Sequence, residues 1–357
     1  MSITAHLRAS VKLPGGAALV DGFALERRGD GSLRALLRHG SELEVHDLEE
    51  LFAGERAPAA VFPVPRPGWE HGGQSVSPDG SFAVFTDQRA VRAVARDGSP
   101  LWEYPHACWG CGSSPAHTDG EPEVCPGPEH GSCLVSEDGR FVWAHIVSAS
   151  AAQNSREHWV LLDAGDGTEL ARRPLRDSTA LGSHQLPHPD GAHVALDIGM
   201  GQDGVLVHWA RWDGAELDGW VVSHHLDRIL ADVHPGHPGF LTVEDNGADL
   251  RLHGLDRTVL AEREPAEGED EDEDPPCWDR CCGFVDADTV IASTVDSDGA
   301  PERTRHWLLD ARTLEIRGTV GYPAGPVDSY VRPLGDGTWL TYDDASGTLD
   351  RWSATAV

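Results

Sequence analysis

Residues 76–84 read VSPDGSFAV, a tight Asp-Gly turn between two short apolar segments. Close copies occur at 135–142 (VSEDGRFV) and 187–194 (PHPDGAHV). Weaker copies centre on 30–31, 238–239, 287–288 and 336–337. An apolar segment, an Asp-Gly turn and a second apolar segment are typical of two antiparallel strands joined by a short hairpin.

The turns recur at an even spacing. The positions equivalent to Gly80 are 31, 80, 139, 191, 239, 288 and 337, which are 48 to 59 residues apart. Chance does not produce such regularity, so the chain contains seven copies of one structural unit.

A second element follows the turn in several repeats. It begins with a His-Trp pair and continues as an apolar run, as at His158-Trp159, His208-Trp209 and His306-Trp307. Each unit then reads strand, turn, strand, loop, strand, turn, strand, which is a four-stranded antiparallel blade. The tryptophans recur at one position, so we expect them to be buried between blades, with the histidines exposed or hydrogen-bonded.

Seven such units predict an all-β, seven-bladed β-propeller spanning residues 1–357 as one domain. Residues 347–352 read as the third strand of blade 7. Its outer strand should therefore come from the N-terminal segment, within residues 2–13. This pairing would close the ring and leave no exposed sheet edge.

The turn sequence resembles that of bacterial β-propellers of the WD-repeat-like class, which share the Ser-Pro-Asp-Gly turn seen at 77–80. The Gly-His and Trp-Asp dipeptides of true WD repeats do not recur regularly. The resemblance covers nearly the whole chain and implies the fold. It implies no particular activity, since propellers host many functions.

The formal net charge of −31 makes nucleic acid and anionic membranes poor partners and favours cations and basic proteins. Lys12 is the only lysine among many arginines, a bias that indicates a bacterial source. The sequence shows neither a secretory signal nor a run long enough to span a membrane. We therefore expect a cytoplasmic protein with reduced cysteines.

Two insertions lengthen links between blades. The link 105–131 carries cysteines and histidines, whereas 262–276 is almost entirely acidic and is expected to be a disordered loop. Links and the first half of each first strand should share one face, which we call the top. The metal-ligand candidates expected there are Cys108, Cys111, Cys125, Cys133, Cys277, Cys281, Cys282, His71, His130, His184 and His234.

The spacing Cys108-x2-Cys111, followed by Cys125 and Cys133, resembles that of zinc ligands. Nearby histidines could replace any of these cysteines. The alternative is that the cysteines are free and fill small core positions, which suits Cys133 and Cys282. Cys281 and Cys282 are adjacent on a predicted strand and should point to opposite faces. Two roles are open for the pair: completing the site formed by blades 2 to 4, or forming a disulfide with the inserted link.

Three functions are compatible with these features. The first is a non-catalytic protein-interaction propeller with a Cys/His zinc site on its top face, binding an unidentified protein or small molecule. The alternative is a copper- or zinc-dependent enzyme with its site at the channel mouth, using residues such as His71, His184, His234 and Cys282. The third is a metal-free scaffold. The sequence favours the first, because it contains no recognisable nucleophile–base pair.

Overall fold

The structure is a computed structural model. It describes residues 2–13, 23–27, 31–65, 71–110, 125, 127–148, 156–175, 178, 180–222, 227–266, 276–295, 304–323, 325 and 327–354. Cys111 and residues 267–275 of the acidic segment lie outside the described residues, so the predictions made for them are not tested.

The chain is a seven-bladed β-propeller of antiparallel four-stranded blades, as the repeat predicted. Blade 1 contains Phe23–Arg27, Leu33–His39, Glu42–Asp47 and Ala60–Pro63, with the short helix Leu48–Phe52 before its last strand. Blade 2 contains Gln74–Val76, Phe82–Thr86, Ala90–Ala95 and Pro100–Pro105. Blade 3 contains Cys133–Val135, Phe141–Val147, Glu157–Asp163 and Glu169–Leu175. Blade 4 contains Gly182–Pro187, His193–Gly199, Val205–Trp212 and Leu217–Val221, with the 3-10 turn Gly201–Asp203 before its third strand.

The remaining blades follow the same order. Blade 5 contains Arg228–Val233, Gly239–Glu244, Leu250–Gly254 and Val259–Arg263. Blade 6 contains Cys277–Asp286, Thr289–Val295, Arg305–Asp310 and Ile316–Gly321. Blade 7 contains Arg332–Pro333, Thr338–Asp343, Thr348–Ser353 and the N-terminal strand His6–Lys12.

The chain divides into two compact units. The first, which we call the blade 1–4 unit, comprises Leu19–Leu51 and Glu55–Val222. The second, the blade 5–7 unit, comprises Met1–Ala18, Phe52–Gly54 and Ser223–Val357.

The Asp-Gly turns have a common hydrogen-bonding scheme. In blade 2, Ser77 Oγ donates to Asp79 Oδ1 at 2.8 Å, and the same carboxylate oxygen accepts the Ser81 N–H at 3.0 Å. Gly80 has a φ of 67°, a left-handed conformation that favours glycine. Blade 3 repeats this arrangement with Ser136 and Asp138. The turn residues are therefore fixed by local geometry, which explains why this stretch identifies the repeat.

The predicted role of the N-terminal segment is confirmed. His6–Lys12 pairs antiparallel with Thr348–Ser353 and is the fourth strand of blade 7. The structure adds a strand that the sequence did not indicate. Ser2–Thr4 pairs in parallel with Ile316–Gly321, so the sheet of blade 6 has a fifth strand.

The hydrophobic core lies between neighbouring blades within each unit. Trp159 and Trp209 are fully buried, as predicted, whereas Trp307 is only half-buried. The histidines that precede these tryptophans are buried too, because both faces of a blade are covered by its neighbours. Of the three, His306 places Nδ1 2.6 Å from the Tyr322 hydroxyl. In the described part of the chain, no helix has the length and apolar character needed to cross a membrane.

Candidate functional site

The link between blades 2 and 3 brings two cysteine sulfurs together. Cys108 Sγ lies 3.5 Å from Cys125 Sγ, and both side chains are buried. Gln88 holds Cys125 in place, because its side-chain oxygen accepts the Cys125 N–H and its side-chain nitrogen donates to the Cys125 carbonyl, both at 2.8 Å. Trp109 N also donates to the Gln88 carbonyl, at 3.0 Å. This part of the link is thus fastened to blade 2.

The paired sulfurs have a separation suited to a shared metal ion. Two thiolates bound to tetrahedral zinc at 2.3 Å lie about 3.8 Å apart, close to the observed value. In the same link, His106 Nε2 is buried and has no hydrogen-bond partner among the described residues. The residues of the described link that fit zinc chemistry are therefore Cys108, Cys125 and His106.

Cys133 is placed differently. Its sulfur lies 3.5 Å from the Val84 carbonyl oxygen and 3.6 Å from that of Gly73, and it packs in the apolar core between blades 2 and 3. Burial raises the pKa of its thiol far above the ordinary range. Both observations fit the alternative considered for Cys133, a neutral thiol that fills a core position.

Three of the candidate histidines lie at the first strands of consecutive blades. The rings of His71 and His130 are stacked, with centroids 5.8 Å apart. The His130 ring lies against Gly182, where an added Cβ would come within 2.7 Å of His130 Cε1. His184 is about half exposed, and its Nδ1 lies 3.5 Å from Asp197 Oδ2. We call His71, His130 and His184 the histidine row.

A buried polar chain connects blades 3 and 4. Ser183 Oγ lies 2.9 Å from His145 Nδ1, and His145 Nε2 lies 3.1 Å from Glu157 Oε2. Burial raises the pKa of Glu157, but hydrogen bonds from His145 and Ser178 outweigh it and make the net shift downward. The order of groups is that of a catalytic triad. However, His145 is completely buried with the Trp109 ring edge-on at 5.1 Å, so a substrate has no access to it.

The sequence did not indicate this chain, because its members come from separate strands and follow no motif. The Ser183–His145–Glu157 chain has a structural role. Glu157 Oε1 also accepts the Ala180 N–H at 2.8 Å, so the carboxylate ties the connection before blade 4 to blade 3.

The remaining described cysteines, Cys277, Cys281 and Cys282, belong to the blade 5–7 unit, on the strand Cys277–Asp286. Cys282 packs in the core between blades 5 and 6, whereas Cys281 packs against the cluster of blades 6 and 7. The predicted alternation of the two side chains is therefore confirmed. Burial raises the pKa of Cys281 to about 11 and that of Cys282 well above its usual value, which disfavours metal-binding thiolates there.

The predicted position of His234 is wrong. His234 follows the last residue of the first strand of blade 5, at the turn end and not at the start. Its Nδ1 accepts the N–H groups of Gly236 and His237 at 2.9 and 2.8 Å, and its Nε2 lies 3.0 Å from the Ala287 carbonyl. The misplacement follows from taking Gly239 as the equivalent of Gly80. The His234 N–H donates to the Gly239 carbonyl as the Ser77 N–H donates to that of Phe82, so Gly239 is equivalent to Phe82. His234 is equivalent to Ser77.

One group of three potential metal ligands within 4.8 Å of one another occurs in the described part of the chain, and it contains no cysteine. It consists of His188, Asp190 and His193 in the turn of blade 4. In the sequence, this stretch stands out only as a copy of the repeat. The signal was the His-x-Asp-x2-His spacing, in which histidines replace the Ser77 and Phe82 of blade 2.

Comparisons with known proteins support the fold alone. No protein-family profile matches the chain, and no curated protein matches its sequence. Among solved structures, it is similar to the β-propeller domain of Cps50 (Swd1) from Myceliophteria thermophila, with a TM-score of 0.55 and 12% identity over 97% of this chain and 100% of that one. As many as 1021 chains match in structure, so the likeness identifies an architecture shared by many proteins.

Proposed function

We propose that this propeller is a non-catalytic protein-interaction module whose link 105–131 is held by a zinc ion. Cys108 and Cys125 would supply two ligands, with Cys111 as the third and a histidine of the link, such as His106, as the fourth. The proposal is carried by the 3.5 Å separation of the Cys108 and Cys125 sulfurs. It assumes a reducing cytoplasm, in which the thiols stay free to bind metal.

The zinc would have a structural purpose. A connection without regular secondary structure has few interactions of its own, and a bound ion replaces them by joining distant points of the chain. The ion would fix the link beside the first strands of blades 2 to 4. The histidine row would then be part of a preorganised binding surface.

The partner is expected to be a protein with a basic segment. The net charge of −31 attracts cationic groups and repels polyanions. The exposed His184 offers an imidazole to such a segment, and the buried Asp197 carboxylate lies 3.5 Å behind its Nδ1.

The enzyme alternative is not favoured by a specific observation. Of the residues it would use, His234 is engaged by its own turn and Cys282 is buried in the core of its own unit. Turnover of a substrate that depends on added zinc or copper would support the enzyme alternative.

The test is metal analysis of protein purified without an affinity tag, combined with thiol titration. We expect about one zinc per chain and protection of Cys108 and Cys125 from alkylation until a chelator is added. Cys108→Ser/Cys125→Ser should lose the ion and show faster amide exchange in the link, with the blades still folded. A protein that holds no metal after reconstitution with zinc would refute the zinc site and leave a metal-free scaffold.

The interaction surface needs its own test. A partner captured by the protein should be purified and its affinity measured directly. Binding should weaken at least about tenfold for His71→Ala/His130→Ala/His184→Ala, because these side chains share one surface. Asp166→Asn, at an exposed turn of blade 3, is the matched control and should bind normally. Equal affinities for the two variants would show that the partner binds elsewhere.

A further inference from the structure

The turn of blade 4 gathers three side chains that are suited to metal binding. Asp190 lies at the centre: its Oδ1 is 3.2 Å from His188 Nδ1, and its Oδ2 is 2.6 Å from His193 Nδ1. All three residues offer ligand atoms within 4.8 Å of one another. Nitrogen and oxygen ligands bound to one divalent transition-metal ion at about 2.0–2.2 Å lie at comparable separations.

The equivalent turns of blades 2 and 3 show that these histidines are not needed to make the turn. The backbone hydrogen bond that closes it is 2.9 Å in blades 2 and 3 and 3.0 Å in blade 4. The central glycines, Gly80, Gly139 and Gly191, have nearly the same φ of 67°, 70° and 68°. A serine and a phenylalanine occupy the flanking positions in blades 2 and 3, and a histidine occupies both in blade 4. The two imidazoles are therefore additional to the requirements of the fold.

The histidines have nitrogen atoms to spare. His188 is buried, and its Nε2 has no hydrogen-bond partner among the described residues. Its Nδ1 accepts the Asp190 N–H at 3.1 Å, a long hydrogen bond that an ion could replace at modest cost. A neutral His193 can bind an ion through Nδ1 if its proton moves to Nε2.

The site is partly open to solvent. The side chain of Asp190 is 37% exposed and that of His193 is 18% exposed, so an ion could enter without unfolding the turn. Three protein ligands leave at least one coordination position for water or for a group from another molecule. The negative charge of the protein raises the local concentration of cations.

We propose that His188, Asp190 and His193 form a second metal site, which takes a divalent transition-metal ion such as Zn²⁺ through two imidazoles and one carboxylate. Mixed nitrogen and oxygen ligands of this kind suit Zn²⁺ better than Mg²⁺ or Ca²⁺, which prefer oxygen alone. The site is independent of the thiolate site in the link.

The experiment is a calorimetric titration of metal-free, full-length Cys108→Ser/Cys125→Ser protein with Zn²⁺, which isolates the blade 4 turn from the link. We expect one ion to bind. Adding His188→Ser/His193→Phe, which restores the residues of blade 2, should weaken binding at least about tenfold. The two nearby tryptophans provide a second readout, since the His188 and His193 rings lie 6.1 and 6.0 Å from those of Trp209 and Trp220. Cu²⁺ bound in the turn should quench their fluorescence.

The matched controls are Asp190→Asn and Asp79→Asn. They remove the same carboxylate from equivalent turns, but only the turn of blade 4 has histidines. We expect Asp190→Asn to weaken Zn²⁺ binding and Asp79→Asn to leave it unchanged. If Cys108→Ser/Cys125→Ser does not fold, the two aspartate variants are compared in the otherwise native chain. There Asp190→Asn should bind one Zn²⁺ fewer than Asp79→Asn. Equal binding by the two aspartate variants, or no Zn²⁺ binding outside the link, would overturn the proposal.

Discussion

The cysteines of the two units differ in their spatial arrangement, and their spacing in the sequence does not indicate this difference. Cys281 and Cys282 are neighbours in the chain, yet they pack in different hydrophobic clusters on opposite faces of one strand. Cys108 and Cys125 are 17 residues apart, yet their sulfurs lie within 3.5 Å. A strand separates adjacent side chains by its pleat, whereas an irregular link can fold back and bring distant ones together.

This difference extends to the chemistry of the thiols. Burial raises the pKa of Cys281 and Cys282, so both are neutral at physiological pH and behave as small apolar side chains. The Cys108 and Cys125 sulfurs face each other. Cysteine content alone therefore does not identify a metal site; the arrangement of two sulfurs around one point does.

The largest expected contrast is in metal content. Cys108→Ser/Cys125→Ser should reduce the zinc bound by the link from about one equivalent to none, because it removes both described ligands. Cys281→Ser/Cys282→Ser should retain that zinc. Both are measured by elemental analysis after exhaustive dialysis. If only Cys281→Ser/Cys282→Ser lost the zinc, Cys281 and Cys282 would be the zinc ligands, and Cys108 and Cys125 would not.

The next largest contrast is in thiol reactivity. A rise in pKa from 9.0 to about 11 leaves Cys281 with about a hundredth of the thiolate of an ordinary cysteine at neutral pH. Alkylation of Cys281, followed by mass spectrometry, should be slower than that of a small reference thiol by about this factor. A rate equal to that of the reference would mean that Cys281 is not sequestered in the packed cluster.

A smaller effect is expected on stability. Cys282→Ser places a hydroxyl in an apolar cluster and should lower the free energy of unfolding by about 1–3 kcal/mol. Cys281→Ser should cost less, since Cys281 is only half-buried. Urea denaturation followed by tryptophan fluorescence measures both. Equal costs would show that the two faces of this strand are packed alike.

The smallest effect concerns pH, in blade 5. Burial lowers the pKa of His253 from 6.5 to about 3, and His253 Nε2 lies 2.8 Å from Thr242 Oγ1. The unfolded chain binds a proton near pH 6.5 and the folded chain does not. Stability from this group is therefore complete above that pH and is lost as the pH falls towards 3.

Between pH 7 and pH 5.5 the expected loss is about 1 kcal/mol from His253 alone. His253→Gln should reduce the pH dependence of the free energy of unfolding by that amount. If the variant and the native protein lose stability equally over this range, His253 is not buried in its neutral form.

The fold could be predicted because it rests on local rules. The Asp79 carboxylate and the left-handed Gly80 fix a turn within a few residues, and that turn recurs in blades 3 and 4. The N-terminal strand could be predicted by counting, since the last blade lacked one strand. The extra pairing of Ser2–Thr4 could not, because three residues carry no periodic pattern.

The candidate site was predicted only in part. The spacing Cys108-x2-Cys111, followed by Cys125 and Cys133, suggested a common ion. The structure brings Cys108 and Cys125 together and places Cys133 in the core, while Cys111 lies outside the described residues. The position of His234 was wrong because Gly239 was taken as the equivalent of Gly80, whereas its backbone pairing makes it equivalent to Phe82. The Ser183–His145–Glu157 chain was missed because it joins residues of two blades, and no local pattern in the sequence indicates which residues of different blades are in contact.

The strand His6–Lys12 also affects how the protein is made. A ribosome produces this strand before the first blade, but its partner Thr348–Ser353 emerges only after nearly all the other blade strands. At typical rates of translation, the wait is on the order of tens of seconds. During that time an edge-forming segment has no native neighbour and must avoid pairing with other nascent chains. Its alternation of polar and apolar residues, with His6, Arg8 and Lys12 at polar positions, suits a strand that has to stay unpaired until Thr348–Ser353 has been made.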